Sequence, residues 1–448
     1  MTATASDRIP RRAVAGYAAG SVGTGGFGTL PGLVLAYYLT DTLAVPALLA
    51  TVVVLAPKAW DVLIDPAVGA LSDREAGRRQ TRTVLMTVGA LTLPIGFIGM
   101  FAAPAGLSPV AAGLWVLVFF VLATSSFSLF QVPYIALPAD LTSDYAERTR
   151  LMGWRIAVLA LAILLVGAGG PAVRDAAGGD SVGYLVMGVV VAVVLLGGML
   201  ATVVGVRGRS HPHSRGGSDR PARIRGEYRT GLVAFRELPT YRSLLIVFVL
   251  QALATGVMLA AVQYVATYTL DDQAALTFVF VALVAPAILV VPLWTRYAGR
   301  VGKQTAFTLA SVLFAGAALS LVLLLWAPGG WLYLPVAVAG VGYAGMQLFP
   351  LAMLPDVISA AGRHRGGAMS GLWTAGETTG LALGPAVVLL LLALGGFRSS
   401  TADEVVTQPG SALTLIVLAF SLIPALLVGA SLLVLRRYRD PVPTEVTA

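Results

Sequence analysis

The chain has 448 residues, of which 57% are apolar and 12% charged, with a mean hydropathy of +0.84 and a formal net charge of +8. That much apolar surface exceeds the need of a soluble core, so the chain belongs in a lipid bilayer and a water-soluble enzyme or binding module is excluded. There is no cysteine, which removes disulfides and thiolate metal sites.

Crossing roughly 30 Å of hydrocarbon takes about 20 apolar residues. Twelve stretches qualify, near 14–39, 46–71, 83–104, 109–138, 153–171, 182–206, 243–269, 273–294, 304–326, 331–355, 366–394 and 411–435. The polar start MTATASDRIPRR leads into a first span too long and glycine-rich for a cleaved signal peptide, so that span is expected to be retained.

Basic residues fix the orientation, because Lys and Arg favour cytoplasmic loops. They gather before span 1 (Arg8, Arg11, Arg12), after span 2 (Arg74, Arg78, Arg79, Arg82) and after span 4 (Arg148, Arg150, Arg155), and in the later loops of the same side. Arg174 and Arg398 fall on the opposite side, and Lys58 lies inside a span. Both termini are therefore expected in the cytoplasm of a cell whose inner membrane holds the chain. Topology accounts for the net charge, and nucleic acid is not an expected partner. His211, His213 and His364 all fall in cytoplasmic loops, away from any proton path across the membrane.

The segment RGRSHPHSRGGSDRPARIRGEYR, Arg207 to Arg229, is too polar and rich in Gly, Ser and Pro to build a core. It divides the chain into an N-terminal six-helix bundle (1–206), a cytoplasmic linker (207–242) and a C-terminal six-helix bundle (243–448). The halves echo each other: LSDREAGR after span 2 matches LWTRYAGR after span 8, and LPAD after span 4 matches LPD after span 10. A duplicated six-helix unit produces such echoes.

The densest signal is KAWDVLID in span 2. Charges at membrane depth cost a few kcal/mol each on insertion scales, so they mark pathways and ion sites. Asp61 and Asp65 are four apart and Lys58 is one turn before Asp61, so all three share a helix face. The paired carboxylates repel one another, and a bound Na⁺ or a captured proton relieves the repulsion; the pair therefore suits a coupling ion. A structural role, in which Lys58 neutralises an aspartate so that span 2 inserts, is weaker because one lysine cannot neutralise two acids. Lys58 could also take part in proton coupling, since lysine, unlike arginine, releases its proton when desolvated; an ordinary counter-ion role stands equally open. Glu377, in SGLWTAGETTGLALGP, is the other charge deep in a span, with a substrate or proton-coupling role set against structural pairing with Lys58.

KAWDVLIDPAVGALSDR and PYIALPADLTSDYAERTRLMGWR closely resemble signature stretches of the glycoside–pentoside–hexuronide:cation symporters, the melibiose-permease-like group of the major facilitator superfamily. The resemblance covers essentially the whole chain. It implies an all-α membrane protein of twelve transmembrane helices in two pseudo-symmetric six-helix bundles, working by alternating access. It also assigns Asp61 and Asp65 to the coupling cation.

Departures from the group bear on the substrate. Where sugar-transporting relatives carry an acid on span 1, this chain has Gly25, beside Thr24; a second acid on span 4 is replaced by Gln131; and the ring that stacks on sugar is matched by Ile135, beside Tyr134. Family members commonly carry a lysine near Glu377, which lies one turn after Trp373. With both acids and the ring missing, a less polar metabolite becomes as plausible as a glycoside. Ile64 stands where sodium users often offer a side-chain oxygen. Ser128 can still donate one, and the balance at this level leans towards protons.

Near the inner ends of spans 2 and 4, Asp73, Arg74, Arg78, Asp140, Asp144, Glu147, Arg148 and Arg155 are expected to form a cytoplasmic gate of breakable ion pairs. The alternative is topology signalling by solvated charge. The expected function is cation-coupled (H⁺ or Na⁺) symport of a small organic solute by a monomer, with no cofactor beyond the ion. A proton-driven exporter is the runner-up, and a non-transporting scaffold or a membrane enzyme trails behind it. GTGGFG (Gly23 to Gly28) and GVGYAG (Gly340 to Gly345) fit a dinucleotide fingerprint but lie in apolar spans with no preceding strand, so helix packing is expected there. GDSVG (Gly179 to Gly183) mimics a nucleophile elbow by chance.

Overall fold

The computed structural model describes residues 9–79, 81–142, 145–208, 232–272, 274–361, 366–401 and 406–438. Its helices are α1 (Arg11–Tyr37), α2 (Ala47–Arg79), α3 (Thr83–Phe101), α4 (Pro109–Leu141), α5 (Tyr145–Ala176), α6 (Ser181–Val206), α7 (Pro239–Tyr268), α8 (Ala275–Val301), α9 (Lys303–Ser320), α10 (Tyr333–Ala361), α11 (Gly366–Leu394), α12 (Gly410–Phe420) and α13 (Leu422–Leu435). Eleven described spans are long and apolar enough to cross a membrane, with α12 and α13 counting as one broken at Ser421. The glycine-rich, 27-residue α1 completes the twelve expected.

Boundaries differ most at charged ends. Apolarity ends span 2 near residue 71, yet α2 runs to Arg79; span 5 was expected from 153, yet α5 begins at Tyr145. Hydropathy senses the hydrocarbon boundary, whereas backbone hydrogen bonding carries a helix past it. Part of the expected linker is also helical, at 232–237.

The chain divides into two compact units: Met1–Asp219 with Ser399–Val406, and Arg220–Arg398 with Thr407–Ala448. The division falls inside the segment read as a linker. Ser399–Val406, read as part of the C-terminal bundle, groups instead with the first unit. The reason is backbone hydrogen bonding: Ser400 N–H donates to the Thr40 carbonyl and Ala44 N–H donates to the Ser400 carbonyl, both at 2.9 Å. These bonds satisfy polar groups where the chain leaves α1 through the π-helical turn Tyr38–Thr42.

Each unit repeats one packing scheme. In the first, α1 lies on α5 and α6, and α4 on α2 and α3; in the second, α7 lies on α11 and α13, and α10 on α8 and α9. Small residues permit the close approaches. A Cβ on Gly16 would come within 2.7 Å of the Gly205 Cα, and one on Gly384 would collide with the Gly256 backbone. The two glycine motifs serve this packing: Gly23 and Gly26 seat Met199 and Leu195, and Gly340 abuts the Leu283 backbone.

Candidate functional site

The first unit carries the charge cluster. Lys58, Asp61 and Asp65 lie on α2, and Trp60 fixes that helix against α4 by donating from Nε1 to Ser125 Oγ at 2.8 Å. Lys58 Nζ lies 3.6 Å from Asp61 Oδ2, while Asp61 Oδ1 is buried with no hydrogen-bond partner among the described residues. Asp61 interacts with the Thr124 hydroxyl and Asp65 with the Ser128 hydroxyl. Thr124 and Ser128 are themselves one turn apart on α4, so two carboxylates one turn apart meet two hydroxyls one turn apart.

The cluster is not sealed in a dry core. The side chains of Lys58 and Asp61 are 34% and 21% exposed, and Asp65 is exposed. Thr124 Oγ1 also lies 3.1 Å from the Val121 carbonyl oxygen, so its single proton serves either that carbonyl or Asp61. Sequence reading missed Thr124. The signal was present in ATSSFS, where it precedes Ser128 by the same four residues that separate the aspartates.

The substrate candidates of this unit part ways. Gln131 Oε1 is buried with no hydrogen-bond partner among the described residues, which marks an unspent acceptor one turn from Ser128, and Ile135 is 50% exposed. Tyr134 does not line an open surface: it is fully buried, its hydroxyl donates to the Tyr17 carbonyl at 2.8 Å and accepts from Ser21 at 3.1 Å, and its ring stacks on Tyr17 at 4.7 Å. Gly25 is a packing position, since a Cβ there would stand 3.0 Å from Leu159 Cδ1 and 3.2 Å from the Leu159 carbonyl oxygen. Thr24 is 9% exposed, and its hydroxyl donates to the Ser21 carbonyl at 3.4 Å.

The charges expected at the cytoplasmic ends separate as well. Arg155 is in no ion pair among the described residues, and its guanidinium lies 5.3 Å over the Tyr134 ring. Asp140 pairs at 2.8 Å with Arg82, which also donates to Ser72, while Glu147 pairs with Arg150 at 3.1 Å and accepts from the Ile9 amide. Arg74 and Arg78 are exposed on the last turns of α2. Asp144 and the side chains of Asp73 and Arg148 lie outside the described residues. Glu75, unremarked in the sequence, accepts the Val84 and Leu85 amides at 2.8 and 3.1 Å and thereby caps the start of α3.

In the second unit Glu377 is half-buried on α11, and Trp373, one turn before it, is 3% exposed and stacked 4.4 Å from Phe248. Lys303 pairs with Asp356 at 2.6 Å, at the same helix ends as Arg82 and Asp140 in the first unit.

Residues 16–439 match the family described as MFS/sugar transport protein. The sodium-dependent lysophosphatidylcholine symporter 1 of Mus musculus is 26% identical over 73% of this chain, which spans 66% of that relative's length. An uncharacterized symporter of Synechocystis is 25% identical over 91% of this chain and 90% of its own. Among solved structures, a D-xylose-proton symporter aligns with a TM-score of 0.68 over 97% of both chains at 13% identity, a likeness of fold.

Proposed function

Because the chain belongs to the MFS/sugar transport family, we propose that it is a secondary active transporter whose coupling cation binds at Asp61 and Asp65. The observation that carries this reading is the matched pair of rows, two carboxylates on α2 against Thr124 and Ser128 on α4. A proton needs one carboxylate, whereas Na⁺ draws on several hard oxygens at once. The second hydroxyl row therefore turns the balance from protons towards Na⁺, in keeping with the sodium dependence named for the mouse relative. Lys58, held to Asp61, supplies the positive charge that keeps the site tolerable when the ion has left.

The transported solute is a small organic molecule less polar than a free sugar. Gly25 is tightly packed against Leu159 and carries no acid, and Gln131 offers a neutral amide in place of a second one. An amphiphile of the class named for the mouse relative fits this loss of polarity. The chain sits in the inner membrane with both termini in the cytoplasm, by the distribution of its basic residues.

Proteoliposomes test the reading. Under an inward Na⁺ gradient they should accumulate lysophosphatidylcholine or a glycoside, and Asp61→Asn and Asp65→Asn should reduce accumulation to background. Accumulation indifferent to both Na⁺ and pH gradients contradicts coupling at this site.

A further inference from the structure

Glu377 lies about three turns inside α11 from its start at Gly366, and none of the ion pairs among the described residues includes it. Among the described bases of its unit, Lys303 is held by Asp356, and Arg296 and Arg300 lie near the exposed end of α8. A carboxylate at membrane depth with no ion pair among the described residues of its own bundle is expensive unless something positive is delivered to it.

Its surroundings are arranged for a ligand rather than for packing alone. Trp373, one turn away on the same helix face, is 3% exposed and stacked on Phe248, yet its Nε1 is buried with no acceptor among the described residues. Across from α11, Tyr343 of α10 lies within electrostatic reach of Glu377. Its hydroxyl accepts from Gln347 Nε2 at 2.9 Å, which leaves the phenolic proton free to be donated. One anion with two uncommitted donors matches a cationic group that carries oxygen acceptors on a neighbouring carbon or ester.

We infer that Glu377, with Trp373 and Tyr343, recognises a positively charged group, an ammonium or guanidinium, on the transported molecule. The inference rests on the transport reading above and narrows its substrate class. Charge selects the group, and the indole and phenol donors orient the oxygens beside it.

The test uses purified full-length protein and two ligand pairs that differ in one charge: lysophosphatidylcholine against lysophosphatidylglycerol of the same acyl chain, and glucosamine against glucose. Thermal stability is followed against ligand concentration. The cationic member of at least one pair should stabilise the protein at a concentration about 10-fold or more below its neutral-headed counterpart, a gap of about 1.4 kcal/mol. Glu377→Gln should erase that preference, Glu377→Asp should keep most of it, and Glu377→Lys should reverse it within the lipid pair, with all three folding to the same elution volume. No preference in either pair, or a preference that survives Glu377→Gln, overturns the inference. The same titrations in Asp61→Asn separate the two ideas: head-group preference without any dependence on Na⁺ or pH sinks the coupling site and leaves Glu377 standing.

Discussion

The two units pack their helices in the same order but treat charge in opposite ways. The first concentrates it: Lys58, Asp61 and Asp65 on one face of α2, Arg82 with Asp140, and a 99%-buried Arg174 held by Asp175 and by the Tyr184 hydroxyl at 3.1 Å. The second unit fills its core with neutral polarity. Gln251 Nε2 donates to Ser311 and Ser431 at 2.9 and 3.0 Å, joining α7, α9 and α13, and a single carboxylate, Glu377, stands deep in a span. Duplication supplied one scaffold twice. One copy carries the charged cluster on α2, and the other carries a carboxylate that is in no ion pair among the described residues.

The largest break in that contrast comes from the aspartates. Asp61→Asn or Asp65→Asn should lower cation-driven accumulation by about 100-fold or more, about 2.7 kcal/mol of cation binding, because each removes a formal negative charge that the cation would meet; proteoliposome uptake measures it. Next comes the ion pair repeated in both units. Arg82 and Asp140 are 13% and 10% exposed, so Arg82→Ala strands a nearly buried carboxylate and should cost a comparable 3–5 kcal/mol or so in stability. Its counterpart Lys303→Ala, from a pair 45% and 52% exposed, should cost no more than about 1 kcal/mol. Thermal denaturation of the two variants side by side tests whether equivalent positions carry unequal weight.

Packing predicts a smaller loss. Gly384→Val forces α7 and α11 apart and should cost about 1–3 kcal/mol, while Gly32→Ala, where a Cβ meets nothing within 4 Å, should leave thermal stability nearly unchanged. The finest probe is Ser128→Ala, which removes one oxygen from the coupling site and should weaken apparent cation affinity about 10-fold, the worth of one hydrogen bond to a charged group. Thr124→Ala should act likewise on Na⁺ but leave proton coupling intact.

Much of this was legible in the chain itself. Hydropathy located the spans, because a bilayer demands length and apolarity from each one in turn. The LPAD and LPD echo pointed to Asp140 and Asp356, and both proved to be ion-pair acceptors at matching helix ends, with Arg82 and Lys303 opposite. Helical spacing alone placed Asp61 and Asp65 on one face. What stayed hidden depended on which helix faces meet. Thr124 joined the candidate site only through the register of α2 on α4, Gly25 packs against α5, and Arg155 meets the Tyr134 ring on α4.

The central claim, a cation site on α2 and α4, is tested most directly by the thermal stability of the purified protein against Na⁺ concentration at several pH values. Wild type would be compared with Asp61→Asn and Asp65→Asn. A bound ion stabilises by mass action, by about 2.7 kcal/mol at 100 times its dissociation constant. The structure predicts saturable stabilisation by Na⁺ that K⁺ does not reproduce and both variants lose. A response to neither Na⁺ nor pH, identical in all three proteins, would contradict it and return the aspartates to a structural role.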